Sequence, residues 1–238
     1  MSIAFVAGAT GYTGREVVRC LSEKRIQTIA HVRPDSSRLE DWRHRFSMPE
    51  VTVDTTVWEE SAMTDAISRI RPTHVFSLLG TTQSRMKKVA RETQGRVIDD
   101  YEQVDFGLTA MLINACIEAE IKPRFLYLSA VGVKESAGSA YYKARWKAER
   151  MLIESGLEYT IARPSFIIGP DRDDGRFFEN LAAYAFDGAL AFASFFGARK
   201  FRDRYHSTSN KTLAQALVRI AFDPKGANAV VESESLHG

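Results

Sequence analysis

Short apolar runs alternate with longer stretches of mixed polarity along most of this chain, and that alternation restricts the fold more than any other feature. The run 3–6 stops at Gly8, and 13–23 then reads as a helix with Val17, Val18 and Leu21 on one side. A second strand is expected at 26–32, a polar short helix or loop at 36–46, and a weak third strand at 51–53. A helix over 60–70 precedes a fourth strand at 74–79, which ends at Gly80. Leu108, Met111, Leu112 and Cys116 recur at helical spacing within 105–119. A fifth strand at 124–128 ends at Ser129. The helix 140–155 ends at Gly156, where a C-terminal cap belongs. A sixth strand at 159–162 ends at Arg163-Pro164. Strand followed by helix, about six times, predicts an α/β fold: a doubly wound parallel sheet, Rossmann-like, with helices on both faces. The expected division is a dinucleotide-binding part over 1–170 and a small C-terminal substrate or lid region over 171–238, packed as one globular unit. Ligands of such sheets bind outside the carboxyl ends of the strands, here 7–14, 33–38, 79–85, 129–135 and 163–170.

Composition removes several other classes. The 238 residues are 45% hydrophobic and 26% charged, which is ordinary globular usage. Thirty-two basic against 30 acidic residues leave +2, so no general pull toward nucleic acid or anionic lipid is expected. No apolar run approaches the ~18–20 residues of a membrane span. The opening residues lack the basic stretch of a secretory leader, and Cys20 and Cys116 suggest no disulfide framework, so a cytoplasmic setting is expected. The five histidines show no ligand spacing, so no metal is expected.

The first strand runs into Gly8-Ala9-Thr10-Gly11-Tyr12-Thr13-Gly14 and then a helix. Glycines at this spacing permit a tight turn, a close approach of backbone to a diphosphate, and tight packing of helix on strand. The helix amides then face the anion. At the end of the second strand, an acidic residue would accept from the ribose 2′-hydroxyl of NAD. The chain instead has Arg33, with Ser36 and Ser37 close behind, a set suited to a 2′-phosphate. NADP(H) is therefore expected in preference to NAD(H), with Asp35 as a counter-signal.

These motifs, with Leu79-Gly80-Thr81-Thr82, Val104-Asp105, Tyr127-Leu128-Ser129-Ala130, residues 155–160, Ala162-Arg163-Pro164-Ser165 and residues 230–233, resemble the atypical short-chain dehydrogenase/reductases, in particular their NmrA-like and Tat-interacting-protein-like NAD(P)H-binding branch. The resemblance covers 1–170 well and 207–235 loosely. It implies that Gly8, Thr10, Gly11, Tyr12, Thr13 and Gly14 line the diphosphate and that Arg33 holds the 2′-phosphate. It places Leu79, Gly80 and Thr81 beside the adenosine and its ribose, Ser129 and Ala130 beside the nicotinamide, and Pro164 and Ser165 over its far edge.

Reductases of that family use a Tyr-x-x-x-Lys pair with a strand-terminal Ser. Four-residue spacing puts the pair on one helix face. Aligned on Glu149 and Ser155-Gly156-Leu157, the pair here becomes Tyr141 and Arg145. Arg145 keeps the charge and can bond ribose hydroxyls, yet with a pKa above about 12 it cannot shuttle a proton. Two functions stay open. One is an NADPH-dependent oxidoreductase acting on a small carbonyl or conjugated substrate, with Tyr141 as proton donor and Ser129 orienting the oxygen. The other is a non-catalytic NAD(P)H-binding regulator or assembly factor that controls a protein partner; a homodimer is also left open. The basic run 85–91 reads as a solvated loop or an anion contact. The aromatic-rich block 177–196 reads as a pocket wall, a core helix or a subunit contact.

Overall fold

Alternate side chains along the strands feed two separate apolar layers, one on each side of a single sheet. The computed structural model describes residues 1–80, 101–165, 167–168 and 208–236. Its strands are β1 (Ile3–Ala7), β2 (Gln27–His31), β3 (Val51–Asp54), β4 (His74–Ser77), β5 (Arg124–Leu128), β6 (Tyr159–Arg163), β7 (Ile167–Ile168), β8 (Thr208–Ser209) and β9 (Ala229–Glu232). Seven of them form one parallel sheet in the order β3-β2-β1-β4-β5-β6-β9, and β7 and β8 pair separately. The helices are α1 (Gly14–Glu23), α2 (Leu39–Arg45), α3 (Glu60–Ile70), α4 (Leu108–Glu118), α5 (Ala140–Glu154) and α6 (Asn210–Phe222).

Ala4, Val6, Phe76, Leu126 and Ala162 meet α1, α2 and α6 on one face. Phe5, Ala7, Val75, Phe125, Tyr127 and Ile161 meet α3, α4 and α5 on the other. Phe5, Phe76, Phe125 and Ile161 are wholly buried, and each contributes about 1.5–3 kcal/mol through removal from water. This is the doubly wound, Rossmann-like architecture expected from the alternation. The strand order reverses between β1 and β4, and that reversal opens a crevice at their carboxyl ends.

Of the short helix or loop expected at 36–46, the structure shows the helix, α2, anchored by buried Trp42 stacked on Phe46. The β7–β8 pair and α6 have no counterpart in the sequence reading, and two further details differ from it. The helix expected from 105 begins as a π-helical turn, Tyr101–Gly107, that runs into α4. A seventh strand, β9, lies parallel to β6 at the sheet edge. It has four residues, with Val230 39% exposed. Because α6 packs on α1 and β9 on β6, the described part of the C-terminal stretch is built into the same layers as the rest. Residues 171–207 lie outside the described residues. Among the described residues, no cluster of His, Cys, Asp and Glu is arranged to hold a metal ion, and no helix is long and apolar enough to cross a membrane.

Candidate functional site

The turn after β1 is packed backbone on backbone. Gly8 has φ +80°, and a Cβ there would stand 2.6 Å from the Leu78 carbonyl oxygen beyond β4. A Cβ on Gly14 would stand 2.0 Å from the Gly8 carbonyl oxygen, and one on Gly11 3.1 Å from it. The Gly11 amide donates to Gly8 O at 3.0 Å, closing the turn. Thr13, buried, occupies the N-cap of α1 and makes no side-chain cap hydrogen bond. The Arg15 and Glu16 amides donate to Gly11 O and Thr13 O at 3.1 Å, and the α1 terminus turns the positive end of its dipole to the mouth of the β1–β4 crevice. The Arg15 guanidinium lies 5.2 Å over the Tyr12 ring, and Thr10 is half-buried. A tight glycine turn leading into a helix terminus suits an anion such as a diphosphate; side chains at 8 and 14 would collide with the protein's own backbone at Leu78 and Gly8 and so deform that turn.

At the end of β2, Arg33 is exposed and pairs with exposed Asp35 at 3.3 Å. Ser36 follows in the same turn, its amide donating to Arg33 O, and its hydroxyl accepts from the Arg38 amide at 3.4 Å. Beside them, His31 is buried, with Nε2 2.8 Å from Thr56 O and Trp58 edge-on at 4.7 Å. Burial holds its imidazole below the usual histidine range, against the opposing pull of Thr56 O and Asp54.

Leu79 and Gly80 continue from β4 along the crevice. A Cβ on Gly80 would meet Arg145 Nη2 at 3.1 Å and Asp105 Oδ1 at 3.7 Å. The Gly80 backbone therefore runs against a buried ion pair: Arg145 Nη2 donates to Asp105 Oδ1 at 2.9 Å, and Nη1 donates to Leu128 O at 2.5 Å. Arg145 sits on α5 and Asp105 on the π-helical turn. The guanidinium carbon lies 4.7 Å over the ring of half-buried Tyr141, which meets Tyr101 and Tyr142 edge-on. Burial opposes the Arg145 charge, but Tyr141, Tyr127 and Asp105 outweigh it and hold the guanidinium above its usual range. Tyr127, wholly buried on β5, is pushed up by burial; its hydroxyl and Arg145 Nε have no hydrogen-bond partner among the described residues.

Ser129 follows β5. Its amide donates to Ala162 O at 2.8 Å, and its hydroxyl donates to Glu149 Oε1. Glu149, buried on α5, also receives both Nε and Nη2 of Arg163, whose Nη1 reaches Glu232 on β9 at 3.0 Å. Hydrogen bonding to Glu149 holds the Arg163 guanidinium above its usual range despite partial burial. Ala130 is half-buried, and Val131 N donates to Pro164 O at 3.0 Å. Pro164 and Ser165 are buried, and the Ser165 amide donates to Ser233 Oγ.

Thus the structure gathers Gly8, Gly11, Thr13, Gly14, Leu79 and Gly80 around one crevice, with Arg145 beside Gly80 and under Tyr141. Thr81, the run 85–91, the block 177–196, His206 and His237 lie outside the described residues. The sequence reading missed Asp105, Glu149 and Arg163 as partners. A signal existed for two of the four charges: Arg145 and Glu149 stand four apart on the α5 face that also carries buried Ala144, Ala148 and Leu152. Charges on an apolar stripe need buried partners.

A family model described as NAD(P)H-binding matches residues 8–184, most of the chain, including the glycine turn. The chain belongs to the NAD(P)H-binding family. No curated protein matches it. Among solved structures, it is similar to the oxidoreductase ylbE from Lactococcus lactis, with 16% identity, 98% of this chain and 94% of that one covered, and a TM-score of 0.65. It is similar to the enzyme WbmH from Bordetella bronchiseptica, solved with NAD+, at 18% identity, 93% and 72% coverage and a TM-score of 0.63. A wide-type short-chain dehydrogenase/reductase from Veillonella parvula, solved with NADP, matches at 14% identity, 96% and 92% coverage and a TM-score of 0.61. At such identities the likeness establishes a shared fold.

Proposed function

We propose that the chain holds NADPH across the β1–β4 crevice and reduces a small carbonyl or conjugated substrate, as a member of the atypical short-chain class resembling its NmrA-like branch. The observation that carries the reading is the glycine turn, whose backbone packs too closely for any side chain at 8 or 14 and which opens on an α1 terminus without a side-chain cap. In this reading Arg33 and Ser36 select the 2′-phosphate, Leu79 and Gly80 border the adenosine, and Ala130, Pro164 and Ser165 bound the nicotinamide. Bound NADPH would supply hydride. Tyr141 would supply the proton from its phenol, with its ring held by the Arg145 guanidinium. Arg145 cannot deliver a proton, so water must restore the one on Tyr141.

One observation favours the second reading, an NAD(P)H-binding regulator without turnover. The Ser129 hydroxyl is buried and donates to Glu149, so it presents no proton to a substrate oxygen. A single experiment separates the two. NADPH and NADH binding is measured by calorimetry, and NADPH oxidation is followed against a panel of carbonyl and conjugated substrates for the parent and Tyr141→Phe. The oxidoreductase reading expects NADPH to bind more tightly than NADH. It also expects turnover that falls about 10²–10⁴-fold in the variant at unchanged NADPH affinity. Tight binding with no turnover on any substrate would establish the regulator instead, and tighter NADH binding would remove the role of Arg33.

A further inference from the structure

We propose that Asn210, almost two hundred residues from the glycine turn, is a positioning residue that sets the direction of the Tyr12–Thr13 peptide and thereby tunes affinity for a diphosphate. The inference rests on the reading that this turn holds a dinucleotide. Asn210 is the first residue of α6, and its Nδ2 donates to Tyr12 O at 3.3 Å. It is firmly seated. Leu213, Ala214 and Leu217 of α6 share one apolar layer with Val17, Val18 and Leu21 of α1. The preceding residue, Ser209, caps α6 by accepting from the Thr212 amide at 3.1 Å, and its hydroxyl lies 2.9 Å from the Thr212 hydroxyl. Ser209 also belongs to β8, in register with Ile168 of β7.

The Tyr12 carbonyl and the Thr13 amide belong to one peptide plane. In a trans peptide they point in opposite directions. By holding the carbonyl toward α6, Asn210 turns the Thr13 N–H to the other side of the turn. Rotation of the plane would exchange a donor for a carbonyl oxygen. A diphosphate would then meet a partial negative charge where an amide had stood, and charge-assisted hydrogen bonds are the strong ones. The C-terminal stretch thus reaches the site through the backbone of the first turn, without touching the ligand itself.

The test uses the full chain with Asn210→Ala, Asn210→Asp and Asn210→Gln. Asp is isosteric but presents no donor, whereas Gln retains one. Calorimetry measures NADPH, ADP-ribose and adenosine 2′-monophosphate, the last lacking a diphosphate bridge. The expected result is a roughly 5- to 20-fold loss for NADPH and ADP-ribose in the Ala and Asp variants. Partial recovery is expected in the Gln variant and unchanged binding of adenosine 2′-monophosphate throughout. The Thr13 amide resonance of the ligand-free protein should move in the Ala and Asp variants. Equal affinities for parent and variants would overturn the proposal, as would a uniform loss on all three ligands together with a lowered Tm, which marks general loosening of α6. If the parent binds neither NADPH nor ADP-ribose, the underlying dinucleotide reading fails, and this proposal with it.

Discussion

The two halves of the sheet's carboxyl edge hold their loops by different forces. Around β1 and β4 the contacts are backbone against backbone, with glycines at 8 and 14 and no charged side chain in the turn itself. Around β5 and β6 the contacts are charges: Asp105 with Arg145, and Ser129, Glu149, Arg163 and Glu232 in a chain that crosses from α5 to the edge strand. The first half owes its shape to what is missing, and almost any added atom damages it. The second owes its shape to paired groups that are costly when separated and replaceable when changed together. Close backbone packing is thus the property of the first half, and buried charge that of the second.

The largest expected effect comes from breaking the charged half. Asp105→Ala leaves the Arg145 guanidinium buried with one partner fewer, at a cost of about 3–5 kcal/mol, read from the urea midpoint. The double variant Asp105→Leu with Arg145→Met should recover most of that loss, because apolar residues of similar volume remove both desolvation penalties. If the single variant costs under about 1 kcal/mol, or the double variant is worse than the single, the contrast between the halves is not electrostatic.

Gly14→Ala strikes the other half. The new Cβ meets the Gly8 carbonyl at 2.0 Å, and that neighbour is backbone that cannot rotate away. The expected cost is about 1–3 kcal/mol, or a Tm lowered by roughly 2–12 °C, with loss of measurable NADPH binding. Gly138→Ala, in the loop before α5, is the matched control: a Cβ there meets nothing within 4 Å. It should be neutral or stabilising by up to ~1 kcal/mol, with NADPH affinity unchanged. A Gly14→Ala protein as stable and as NADPH-competent as the parent would show that the close packing of the turn carries no function.

The same contrast governs what could be read from residue order. The glycine half is local: Gly8, Gly11 and Gly14 lie within seven residues, flanked by a strand and a helix whose periods are plain, so the turn and its position at the sheet edge were legible. The layers were legible for the same reason, since each strand alternates between its two cores. The charged half is not local. Asp105 and Arg145 are 40 residues apart, and Ser129 and Glu149 20 apart. Their pairing depends on how α4, α5 and β5 stack, which no short pattern encodes. Tyr141 and Arg145 could be placed on one helix face, but not the partners that hold Arg145 or the bond that occupies the Ser129 hydroxyl. Length and edge position do not explain why β9 escaped, since β3, four residues at the opposite edge, was read at 51–53.

The smallest expected effect is a response to acid that arises outside the charged half. His31 closes β2 at the carboxyl edge, in the glycine half, whereas His74 opens β4 at the opposite, amino edge, in register with Arg124. His74 stacks on Phe222 at 3.9 Å, and burial, helped by Arg124, pushes its imidazole down to about 4, while burial also lowers His31. Both are neutral when folded and take up protons more readily when unfolded. Their contribution is therefore fully present above pH ~6.5 and is lost as the pH falls toward 4. Arg145 and Arg163, both held above the usual range, keep their charge throughout that window. His74→Gln should flatten the fall in stability between pH 6.5 and 4 by about 1–2 kcal/mol, after allowance for partial exposure of the ring, as measured by urea unfolding at each pH. Since the histidine is lost from β4 and not from the charged half, the Asp105→Ala penalty measured at pH 7.5 should be the same in the His74→Gln background. A His74→Gln protein with an unchanged pH slope would place the acid response among carboxylates rather than on His74.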